Sequence, residues 1–169
     1  MTGNKKIIYQ LASFLIPLIV YLITLAPSVT FIDSGELSAV ATRLGVAHPT
    51  GYPLFTILGK LFTFLPVGDE IYRLNLMSAV FSSLALFMLF NLIVLLLSDK
   101  HLINDMQNDS GKMSPDIIYN ISLSSVLVLA FSRTFWDTAN AIEVYSLHSF
   151  FLVANIYLIL KACSYDPDN

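Results

Sequence analysis

The run IIYQLASFLIPLIVYLITLA, from Ile7 to Ala26, holds twenty residues without a single charge and follows the basic pair Lys5 and Lys6. About twenty apolar residues in a helix cross the hydrocarbon of a bilayer, where every backbone N–H and C=O must be satisfied within the segment. The run therefore commits this part of the chain to a membrane helix. A secretory signal is the competing reading, but its apolar core would be only about 7–15 residues long, and Pro27 stands where cleavage after Ala26 would fall.

Composition extends the conclusion to the whole chain. Hydrophobic residues make up 56% and charged residues 12%, far from the balance of a soluble domain. A net charge of -3 without a dense basic run gives no reason to expect nucleic acid as a partner. The single Cys163 can form neither a disulfide nor a cysteine-based metal site within one chain.

Further spans are expected at about 74–97, 117–133 and 144–162, giving an all-α membrane protein of about four transmembrane helices in one module over 1–169. Between the first two spans, residues 27–73 form a long first outer loop. Its segment GYPLFTILGKLFTFLP is too short to span, carries Lys60 near its middle and is bounded by prolines, so it reads as an interfacial or re-entrant helix. Residues 98–116 read as a solvated inner connector, and SYDPDN as a polar tail. With the N-terminus cytoplasmic, five lysines lie inside, while Arg43, Lys60, Arg73 and Arg133 lie outside with Asp33 and Glu36. The count is nearly balanced, but every arginine falls outside, and arginine is the residue that grips phosphate or carboxylate with a planar fork.

Within the first outer loop, Asp33 and Glu36 have the spacing of a capping box opening a helix from about Ser34 to Leu44. On that reading both acids serve backbone N–H groups. The alternative is chemical: Leu37, Val40, Ala41 and Leu44 recur at helical spacing, so the helix can lie along the membrane surface and hold Asp33 at the mouth of the bundle, where partial desolvation would suit a base. His48, in the AHPTGYP turn with Tyr52, is either a polar residue packed in that turn or a group facing substrate. One histidine and two acids at flexible spacing do not make a recognisable metal site, and a divalent metal is the one cofactor for which the sequence leaves room.

The second outer segment, FSRTFWDTANAIEVYSLHSF, concentrates Arg133, Trp136, Asp137, Asn140, Glu143, Tyr145 and His148. Trp136 and Tyr145 are most simply interfacial anchors. Glu143 and His148 stand at the head of a membrane helix, where ionisable groups tend to face a bundle interior or a water-filled cavity. Both outer segments fall on one side of the membrane.

The strings GELSAVATRLGVAHPTGYPLFTILGKLFTFLP, RLNLMSAVFSSLAL and FWDTANAIEVYSLHSF together resemble a bacterial membrane-protein family labelled as domain of unknown function 2723. That family is similar to the eukaryotic transmembrane protein O-mannosyltransferases and is grouped with the GT-C glycosyltransferases. The resemblance covers about residues 31–158. It implies the N-terminal module of a GT-C-like fold, in a multi-pass enzyme of the bacterial inner membrane that moves a sugar from a polyprenyl-phosphate donor to a protein or glycan acceptor at the extracytoplasmic face. By position it makes Asp33, with Glu36 close behind, the catalytic acid of the first outer loop, assisted by Asp137 or Glu143.

The residue types suit such chemistry on their own account: one carboxylate takes the acceptor proton, and Arg43, Arg73 and Arg133 are candidates to hold the departing phosphate. No glycine-rich phosphate loop is present, in keeping with a donor that is not a nucleotide sugar. A transporter module would instead place its polar groups near the bilayer midplane, and a non-catalytic scaffold would depend on apolar faces such as Leu76, Val80, Phe87 and Val94 rather than on Asp33.

Overall fold

The computed structural model describes residues 2–30, 32–49, 51–98 and 113–164. The connector read at 98–116 lies outside the described residues for 99–112, as does the polar tail beyond Ser164. In chain order the helices are α1 (Thr2–Thr24), α2 (Ile32–Arg43), α3 (Pro53–Thr63), α4 (Glu70–Ser98), α5 (Pro115–Ala130), α6 (Arg133–Asn140) and α7 (Val144–Cys163), and the described residues contain no strand. Most of α1, all of α4 and all of α7 are long and apolar enough to cross a membrane; α5 and α6 make a fourth span when taken together across a bend of 68°. The architecture is an all-α membrane bundle of three to four spans, the class that the apolar runs imply.

Helix α4 is the hub, packed against every other helix of the bundle. Small buried residues along it, Ala79, Ser82, Ser83 and Ala85, let its neighbours approach closely. Its wider positions fill one core with Tyr21, Leu86, Phe90, Ile118 and Val126. Several polar side chains of the bundle pair with one another: Gln10 Nε2 donates to Asn91 Oδ1 at 2.6 Å, and Tyr9 to Asn120 Oδ1 at 3.0 Å. At that end of the bundle Lys5 pairs with Asp116 at 2.8 Å, which sets α1 and α5 parallel.

The expected third span differs from the observed one. Instead of a single helix over 117–133, α5 stops at Ala130 and the chain turns into α6. Ser132 takes an extended conformation (φ -68°, ψ 142°), and its hydroxyl donates to the carbonyl of Leu129 at 2.7 Å in place of helix continuation. A carbonyl freed by the break, that of Ala130, accepts from the buried Tyr21 hydroxyl at 2.8 Å. Sixteen residues of α5 rise only about 24 Å, less than a full hydrocarbon thickness.

The first outer segment folds back on the bundle as a helical hairpin. Leu37 and Ala41 of α2, Phe55 of α3, Leu74 and Met77 of α4, Ile142 and Leu147 form a second core at the end of the bundle opposite Lys5. The apolar stripe of α2 therefore packs onto α3 and α4 rather than onto a membrane surface. It also ends early, since Leu44 is 57% exposed and leaves the helix in the left-handed region at φ 54°, where Gly45 N closes back on the carbonyl of Val40. Gly59 makes the hairpin possible: a Cβ there would stand 2.8 Å from that of Ala41. Lys60 donates to the carbonyl of Thr42 at 2.6 Å and ties the end of α2 to α3.

Candidate functional site

Three residues, Ala141, Ile142 and Glu143, join α6 to α7, the first and last of them extended, and side chains from two other helices hold them in place. Asn75 of α4 accepts from Ile142 N at 2.8 Å while its amide donates to the carbonyl of Ala26 at 2.8 Å, so one buried side chain fastens the end of α1 to the head of α7. Ser34 of α2 donates to the carbonyl of Ile142 at 3.0 Å, and Glu143 N donates to Ser78 Oγ at 3.3 Å. Ala26 N donates to the carbonyl of Asn140 at 3.1 Å. A backbone with no ladder of its own is satisfied by side chains, as buried backbone must be.

This fastening brings the two outer segments together. Ser34 at Ile142 places its neighbour Asp33, in the first turn of α2, within electrostatic reach of Glu143. Burial pushes the Glu143 carboxyl above its ordinary pKa, and the charge of Asp33 adds to the rise. Glu143 is the N-cap residue of α7 but makes no side-chain cap bond. The sequence led us to expect the desolvated acid at Asp33; Asp33 is exposed, and Glu143 is the one in the less polar setting.

Glu36 has a different use. Its two oxygens accept from His48, one from the backbone N–H at 2.7 Å and one from ring Nδ1 at 3.0 Å. Those bonds, the backbone one first, hold the Glu36 carboxyl below its ordinary pKa. A carboxylate can only accept, so Nδ1 carries the proton and His48 is fixed in one ring orientation. The capping-box reading of Glu36 is thereby corrected: it serves a backbone N–H twelve residues on, not one at the start of its own helix. His48 in turn packs edge-on against Tyr52, ring centres 5.6 Å apart.

The arginines divide. Arg73 is spent on the α3–α4 turn, donating from Nε to Val67, from Nη1 to Thr63 and from Nη2 to Gly68, all backbone carbonyls at 2.7–2.8 Å. Three of its five N–H donors are thus committed to the turn, away from the pocket that Arg133 lines. Arg43 sits in the last turn of α2, about 15 Å along the helix from Asp33. Arg133 is the arginine at the site: its side chain is 95% exposed, lies 3.8 Å from Asp137 one turn on, and lines a pocket of about 310 Å³ with Thr134, Asp137, Thr138, Glu143 and Tyr145, all residues that carry polar groups.

Adjoining that pocket is an apolar groove of about 560 Å³ between the start of α3 and the head of α7, walled by Tyr52, Phe55, Val144, Leu147 and Phe151, with Tyr145 and His148 as its other polar groups. Of the candidate residues, the structure thus gathers Glu143, Arg133 and Asp137 about one pocket, with Asp33 within electrostatic reach of Glu143, and Tyr52 and His148 about the groove beside it. It leaves Arg43 and Arg73 apart. Among the described residues no three His, Cys, Asp or Glu side chains come together to hold a metal ion. Trp136, expected as a membrane anchor, packs inward on Tyr21 and Phe131. Asn75 and Ser34 were not singled out from the sequence; an asparagine within an otherwise apolar span was the available signal.

A bundle of three to four candidate spans that collects acids, an arginine and an apolar groove at one end defines a multi-pass membrane protein. The family model described as the Protein O-mannosyl-transferase TMEM260 N-terminal domain matches residues 33–168, and the chain belongs to that family. The match starts at Asp33 and includes every candidate site residue. Among its relatives, the mouse Protein O-mannosyl-transferase TMEM260 is 37% identical over 134 residues, which cover 79% of this chain and 16% of the mouse protein. A protein of the same description from Dictyostelium discoideum is 31% identical over 143 residues, 83% of this chain and 15% of that protein. The chain spans about a sixth of the length of these relatives. No solved structure matches it.

Proposed function

We propose that the chain is the N-terminal, site-bearing module of a GT-C-type glycosyltransferase that moves a sugar, mannose by analogy with its relatives' names, from a polyprenyl-phosphate donor to a protein or glycan hydroxyl. The observation that carries this reading is the juxtaposition of the Asp33–Glu143 acid pair and Arg133 with a groove suited to a lipid tail. The acceptor oxygen attacks the anomeric carbon, the bond from that carbon to the phosphate oxygen breaks with its electron pair, and the hydroxyl proton passes to a carboxylate. Direct displacement inverts the anomeric centre.

Asp33 is the base. This role rests on its place in the first turn of α2 beside the pocket; Glu143, whose pKa burial and the nearby Asp33 raise, stands next to it as the second acid of the site. Arg133 stabilises the departing phosphate, Asp137 orients Arg133, and His48 and Tyr52 shape the groove side. In this reading the protein is of the bacterial branch, the N-terminus is cytoplasmic, and the site opens at the extracytoplasmic face of the inner membrane.

The test is transfer from polyprenyl-phosphate mannose to endogenous acceptors in membranes holding the protein at full length, wild type against Asp33→Asn. Asparagine keeps the shape and polarity of the side chain. Loss of transfer at equal protein level supports the base; equal transfer by both forms removes Asp33 from that role.

A further inference from the structure

Tyr145 lines both the Arg133 pocket and the apolar groove. Read from the sequence it is a membrane-interface anchor, a role that any amphipathic ring fills. The structure gives it a more particular setting. It is the second residue of α7, two positions from Glu143 and three before His148, so it stands on the ridge between the chamber holding Arg133, Asp137 and Glu143 and the groove walled by Phe55, Leu147 and Phe151. Its side chain is 60% exposed, and among the described residues no hydrogen bond occupies its hydroxyl. An apolar ring with a polar tip suits a boundary where one end of a ligand is greasy and the other charged.

We propose that Tyr145 holds the junction between tail and phosphate of a lipid-linked donor, its ring against the first carbons of the tail and its hydroxyl donating to a phosphate oxygen. The inference rests on the donor class argued above and adds to it the residue that reads both halves of the molecule at once. Arg133 supplies charge from the wall of the same pocket; Tyr145 supplies register, because a ligand slid along the groove would lose either its ring contact or its hydrogen bond.

Equilibrium binding of farnesyl phosphate, farnesol and inorganic phosphate to the full chain in detergent micelles, with empty micelles subtracted, separates the possibilities. The wild type binds farnesyl phosphate more tightly than either half-ligand. Tyr145→Phe keeps the ring and lowers the preference for farnesyl phosphate over farnesol about tenfold, the loss expected for one hydrogen bond to a charged oxygen. Tyr145→Trp, which anchors at an interface as well as tyrosine does, loses the same preference. If Phe and Trp variants, folded as the wild type is, discriminate as the wild type does, Tyr145 is an anchor and the inference fails. A wild-type chain that does not discriminate among the three probes sinks the donor class itself, and Tyr145's role with it.

Discussion

At one end of this bundle two glutamates lie a short way from the same aspartate and meet opposite surroundings. Glu36, one turn along α2 from Asp33, spends both oxygens on His48, and its pKa is lowered by those bonds. Glu143, at the head of α7, makes no cap bond, is half-buried beside Asp33, and its pKa is raised. The first carboxylate is satisfied and keeps a turn in shape. The second is left in want of a proton, which is the condition of a group that takes part in proton transfer. Sharing one face of the membrane therefore does not give two acids one role; the number of donors each meets decides.

The comparison breaks most visibly in transfer activity. Asp33→Asn is expected to lower transfer by about 10²–10⁴-fold, the usual worth of a general base, whereas Glu36→Gln, which still accepts from His48 N, costs less than about tenfold in the same membranes. A reversed order would make Glu36 the base. Next in size is the support beneath Glu143. Asn75→Leu strands the carbonyl of Ala26 and the N–H of Ile142, a loss of about 2–4 kcal/mol, read as a lower thermal midpoint in detergent. An unchanged midpoint would show that the α6–α7 link is held by other means.

Gly59→Ala sharpens the other half, since the added methyl meets Ala41 and forces α2 from α3; overpacking of this kind costs about 1–3 kcal/mol, and the same melting experiment would register it. The smallest effect is in pH. Carbon-13 titration of the two carboxyls should place Glu36 below and Glu143 above the ordinary value of 4.5. The signs differ accordingly. Glu36 stabilises the fold above its unfolded value, and that contribution is lost as pH falls through its lowered folded value; Glu143 favours the folded state at low pH and loses that favour as pH rises through its raised one. Titration of both carboxyls on the same side of 4.5 would erase the distinction.

What the sequence makes legible follows from range. The spans are visible because twenty apolar residues in succession leave a chain few alternatives, and the convergence of the two outer segments follows from counting crossings. Glu143 was recognisable from its place at the head of an apolar helix. Arg73 was not, because nothing in a one-dimensional pattern shows three carbonyls of a turn closing around a guanidinium. The Glu36–His48 contact spans twelve residues and was hidden by a local pattern, D-x-x-E, that competes for the same acid. The break after α5 carries no proline or glycine; it depends on Ser132 bonding backward and on Tyr21, more than a hundred residues earlier, receiving the carbonyl that the break exposes.

The Asn75 contacts also impose an order in time. As the chain is synthesised, α4 reaches the membrane when Ala26 is already made and can receive the amide of Asn75, but the N–H of Ile142 that its oxygen awaits lies 67 residues further on. Until α7 arrives, the nascent protein carries an amide half-satisfied at the edge of the bilayer, and Asp33 has no second acid opposite it. The pocket therefore cannot close before the link from α6 to α7 has been made.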